Sequence, residues 1–130
     1  MDAIAAIKSK LAKYPQIRYA ESDSSIEVQP ADVSGFSVSL RQTGDHLTVA
    51  FEGWHEAFES ETEALNCFAF GLSEACRLRV LYRGNSPVRW TVEAYRDGVW
   101  ASDSETGLIL IPFWRRKSVR YLQNRWLPAA

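Results

Sequence analysis

The chain is poor in the residues from which most recognisable chemistry is built. Its 130 residues include two cysteines, two histidines and one methionine. Two cysteines cannot form the framework of a disulfide-dense mini-protein, and a chain of this length does not need one, because it hides about two thirds of its unfolded surface on folding. The seven glycines are scattered at turns, so no phosphate-cradling loop is present. The longest uncharged apolar run, Leu108 to Trp114, is seven residues, far short of the roughly 20 that a spanning helix needs. No membrane span is expected. Asp2 precedes only Ala3 to Ile7 before Lys8, which is neither the charge order nor the length of a secretory signal, so the expected address is cytoplasmic.

What remains, 46% hydrophobic and 24% charged residues, is the composition of an ordinary globular protein, and one domain spanning 1–130 is expected. The net charge of −1 hides a division. Residues 1–76 carry five bases against twelve acids, whereas residues 77–130 carry ten bases against four acids. Such asymmetry is a cue for a charged partner or for head-to-tail self-association, set against the plainer reading that the charges intermix in one domain.

The periodicities give an order of elements. Ile4, Ile7 and Leu11 recur at helical steps until Tyr14-Pro15. Ile26 and Val28 suggest a brief strand stopped by Pro30. Phe36, Val38 and Leu40 alternate with polar residues, as do Leu47, Val49 and Phe51, across a Gly44-Asp45 turn, which predicts a hairpin with one apolar face. Ser60 followed by Glu63 is a helix-start signal, predicting a helix from Glu61 to Ala75. Gly71 inside it calls for close approach to a sheet.

A second hairpin follows, with Val80 opposite Trp90, Leu78 opposite Val92, Tyr82 opposite Val88 and, on the other face, Arg79 opposite Thr91 and Arg77 opposite Glu93. Asp97-Gly98 predicts a tight turn into Val99 to Ala101, and Ser102 to Gly107 reads as a polar loop. Leu108 to Phe113 reads as a buried strand, and Val119, Leu122 and Trp126 predict a short C-terminal helix from about Ser118. The expected fold is α+β, a mainly antiparallel sheet of five to six strands with helices on one face, in the order α-βββ-α-βββ-α. In layout alone this resembles the small secretion chaperones and the TATA-binding-protein-like folds, and a shared layout implies no function.

Three functional readings follow. The first is a non-enzymatic binding domain that docks an acidic protein partner, or a second copy of itself as a homodimer, through a basic sheet face. Its contacts would be Arg77, Arg79, Arg89 and Tyr95 on the face, with Trp114, Arg115 and Arg116 near the tail. The second is single-stranded nucleic-acid binding by the segment Trp114 to Trp126, which holds five bases, three aromatics and no acid. A membrane-surface role for Leu108 to Trp114 and the bases after it is a further possibility from the same segment. The third is a small hydrolase or isomerase using His55 with Glu52 or Glu59, for which a deep apolar pocket beside Trp54 would be the mark. No cofactor is implied. Cys67 and Cys76 read as apolar fillers that cannot join.

Overall fold

A computed structural model describes residues 3–108 and 113–127. The protein is a mixed α+β fold with two antiparallel sheets rather than the one sheet expected. Helix α1 (Ala3–Leu11) leads into strands β1 (Tyr19–Glu21), β2 (Ser25–Val28), β3 (Val38–Thr43), β4 (His46–Phe51) and β5 (Trp54–Phe58), which pair in sequence order as the first sheet. Helix α2 (Glu61–Leu72) then separates them from β6 (Cys76–Arg83), β7 (Ser86–Arg96), β8 (Val99–Gly107) and β9 (Lys117–Leu122), arranged β8-β7-β6-β9.

Alternation carries the first sheet. Val38, Leu40, Val49 and Phe51 are fully buried, while Ser39, Thr48 and Ala50 between them stay half-buried on the far side. The β3–β4 turn is Gly44-Asp45, with Thr43 opposite His46. Helix α2 begins as expected, with the Glu63 N–H donating to Ser60 Oγ at 3.2 Å. It stops three residues early because Ser73 turns extended and sends both its N–H and its hydroxyl to the Phe70 carbonyl. Gly71 lies against the Phe51 ring, where an added Cβ would sit 2.4 Å from a ring carbon, so the glycine is there for close approach.

The β6–β7 hairpin has the expected register from Arg77↔Glu93 through Val80↔Trp90. A bulge between Leu81 and Tyr82 places Tyr82 opposite Pro87 instead of Val88, since Arg83↔Ser86 closes a turn at Gly84-Asn85. Asp97 and Gly98 both take positive φ, 53° and 81°, as the tight hairpin turn requires. The strand after this turn, β8, runs to Gly107, so Ser102 to Gly107 is strand rather than loop. Its polar residues had hidden a strand that pairs β7 on one side while its side chains stay largely exposed.

The expected C-terminal helix is instead β9, which pairs Lys117 to Leu122 with Arg83 to Leu78. The edge of β6 needs a partner for its backbone groups, and six ladder positions outweigh a three-four apolar spacing that suits either state. The order is therefore one helix, five strands, one helix and four strands among the described residues. Within the strand expected over Leu108 to Phe113, residues 109–112 lie outside the described residues, as does Pro128.

The two sheets meet where β5 crosses the inner side of β7 and β8. Trp54 Nε1 donates to Ser104 Oγ at 2.9 Å, and Trp90 closes over Gly53. Asn124, fully buried just past β9, joins the halves: its Oδ1 accepts from the Phe36 and Ala31 N–H groups, and its Nδ2 donates to the Phe36 and Gly71 carbonyls.

Candidate partner-binding face

The inner residues of β6 and β7, Leu78, Val80 and Val92, are 2% exposed or less, which turns Arg77, Arg79, Arg89, Thr91 and Glu93 to the other side. That outer face is not openly solvated. Thr91, Leu81 and Glu93 on it are themselves buried, covered by long side chains laid across the strands.

Arg77 is held on three sides. Its guanidinium lies 4.5 Å from the ring centre of Trp100 on β8 and 4.2 Å from that of Tyr121 on β9, and Nε donates to Glu93 Oε1 at 2.5 Å. An ion pair between two aromatic faces is a fixed structural element. Tyr95 packs edge-on against Trp100 at 5.2 Å and remains 47% exposed. Arg79 stands opposite both Thr91 and Tyr121, and Arg89 lies across Gly107. Both are half-buried, and among the described residues neither reaches a carboxylate. Glu105, diagonal to Arg89 in the β7–β8 register, accepts instead from the Thr91 hydroxyl.

At the end of this face a hollow of about 320 Å³ is lined by Arg77, Trp100, Tyr121, Gln123, Arg125 and the Asp32–Ser34 turn. Arg125, directly after the buried Asn124, takes φ 145°, outside the range most side chains adopt.

The tail residues Trp114, Arg115 and Arg116 are not part of this central patch. They lie in the turn before β9, at the Gly84-Asn85 corner of the sheet. Arg115 runs over Gly84, and the Arg116 carbonyl accepts from the Gly84 N–H at 2.7 Å. Trp114 is 73% exposed and in edge contact with Phe113. Sequence reasoning missed Trp100, and it placed Tyr121 in the basic tail segment rather than beside Arg77. Trp100 could have been found by counting across the Asp97-Gly98 turn, which sets it opposite Tyr95, whereas Tyr121 became visible only once β9 paired with β6.

His55 is exposed and its backbone N–H donates to Thr106 Oγ1. Glu52 is engaged with the Ser37 N–H, and the hollow beside Trp54, about 270 Å³ and of mixed polarity, is walled by Cys67, Glu56, Arg96 and Asp103 rather than by His55. Cys67 lies on α2 and Cys76 opens β6, both as free thiols. Burial, then Glu56 and Asp103, push the Cys67 thiol from 9.0 up to about 12, and burial raises Cys76 further. Neither is a nucleophile near neutral pH. Among the described residues no group of His, Cys, Asp and Glu is placed to hold a metal ion, and no helix is long and apolar enough to cross a membrane. No family model, curated protein or solved structure matches the chain.

Proposed function

We propose that the protein works by binding, and that the outer face of β8-β7-β6-β9 docks an acidic segment of a protein partner. The observation that carries this reading is the contrast between Arg77, paired with Glu93, and Arg79 and Arg89, half-buried cations with no carboxylate among the described residues. Partly desolvated arginines beside exposed tyrosines gain most from an incoming carboxylate, because charge-assisted bidentate bonds strengthen as water leaves. A second copy of the chain is a candidate partner, since residues 1–76 carry the complementary excess of acids.

The test is calorimetric titration with a glutamate-rich peptide, together with sedimentation of the protein alone. Arg79→Glu combined with Arg89→Glu is expected to weaken peptide binding about tenfold or more, and to weaken any self-association in parallel. Equal affinity in wild type and variant refutes the face. Preference for a single-stranded oligonucleotide over the peptide, with affinity falling steeply in salt, would replace this reading by nucleic-acid binding.

A further inference from the structure

The Gly84-Asn85 corner of the second sheet gathers cations and aromatic rings in a way the acidic-partner reading does not use. Arg83 stands directly opposite Lys117 across β6 and β9, a like-charge pair that costs stability unless an anion neutralises it. Arg115 is laid over Gly84, whose positive φ of 63° and lack of a side chain admit it. Arg83 Nη1 donates to the Phe113 carbonyl at 3.4 Å, while its Nε is buried with no partner. Among the described residues no carboxylate pairs with Arg83, Arg115 or Lys117. Beside these bases, Phe113 and Trp114 are 72% and 73% exposed, and Leu108 at the same end of the sheet is 47% exposed. Large apolar side chains this open, with Arg83, Arg115 and Lys117 at the same corner, match a surface that is apolar beneath and anionic above.

We infer that this corner docks on an anionic lipid bilayer, with Arg83, Arg115 and Lys117 on headgroup phosphates and Phe113 and Trp114 entering the headgroup layer. Two features favour a bilayer over a nucleic acid. Phe113 and Trp114 meet edge to face, at 79°, rather than as parallel platforms on which successive bases stack. A polyanion long enough to wrap the chain would also meet the acid-rich residues 1–76, whereas a plane touches the corner alone, and charges farther than about 10 Å from it are screened.

The full chain is sedimented with vesicles of phosphatidylcholine alone and of phosphatidylcholine with phosphatidylserine, in 0.1 M salt. Binding is expected only to the phosphatidylserine vesicles. Arg115→Glu with Lys117→Glu is expected to weaken it about tenfold or more, and Phe113→Ser with Trp114→Ser to weaken it comparably, with unchanged circular dichroism in each. Arg79→Glu with Arg89→Glu is expected to leave vesicle binding intact while weakening capture of the acidic peptide about tenfold or more, so the two surfaces fail independently. Equal binding to both vesicle types, no binding to either, or loss of vesicle binding only in the Arg79/Arg89 variant overturns the inference. So does a preference for an oligonucleotide over the charged vesicles.

Discussion

The two sheets solve the same problem with opposite materials. In the first, the side of β3 and β4 away from the core carries the small Ser39, Thr48 and Ala50, with Arg41 opposite Thr48 standing exposed in water. In the second, the corresponding side of β6 and β7 carries arginines, and these have been organised: Arg77 is held by two rings and a carboxylate, and Thr91 and Glu93 are buried beneath the canopy. A mostly small face whose arginine keeps its water gains little from what approaches it. A face of half-desolvated arginines is not, because each unpaired guanidinium has already lost part of its water. The division of charge along the sequence thus becomes a difference between the outer faces of the two sheets.

The sharpest way to break that division is at the joint. Asn124→Ala removes four hydrogen bonds and strands the Phe36 and Gly71 groups in a site of zero exposure, so a loss of about 3–5 kcal/mol is expected in urea unfolding. Gly71→Ala forces Phe51 away from α2. The overpacking, about 1–3 kcal/mol, is expected to exceed the gain of about 1 kcal/mol in helix propensity, giving a net loss in the same assay.

Within the second sheet, Arg77→Ala leaves Glu93 buried without its cation and is expected to cost about 2 kcal/mol, whereas Arg79→Ala is expected to stay within about 0.5 kcal/mol. Equal costs would erase the distinction between a structural and an available arginine. A finer probe uses the thiols. Because Cys67 ionises at about 12 when folded and near 9.0 otherwise, the folded state keeps a proton that the unfolded chain releases. Stability from this group is complete below pH 9 and is lost as pH rises toward 12. Disulfide-exchange labelling at pH 8 is expected to be much slower for the native protein than for the same chain in urea. The smallest effect is expected at the exposed Lys8–Glu21 pair, where Glu21→Gln leaves the unfolding midpoint unchanged within error.

Much of the second sheet was legible because polarity, register and turn chemistry agree there: Arg77 opposite Glu93, Val80 opposite Trp90, and Asp97-Gly98 between β7 and β8. The strands that escaped notice had no apolar period to show. All three residues of β1 are exposed, β5 buries only Trp54 at its start, and the far half of β8 is a run of polar residues. These edge strands are held by backbone pairing and a few cross-sheet hydrogen bonds, which leave little trace in side-chain type. The candidate site was legible in part for the same reason. Parity placed Arg77, Arg79 and Arg89 on one face, but parity says nothing of which of them is already partnered.

The sequence by itself determined the start of α2, the Gly44-Asp45 and Asp97-Gly98 turns and which side of β3, β4, β6 and β7 is apolar, since these depend on neighbours a few residues apart. Tertiary structure alone decided that the strands divide into two sheets, that Lys117 to Leu122 pairs rather than coils, and that Tyr121 joins Trp100 around Arg77. Those outcomes rest on contacts between residues far apart in the chain, where the backbone groups of an open edge, rather than local preference, set the balance.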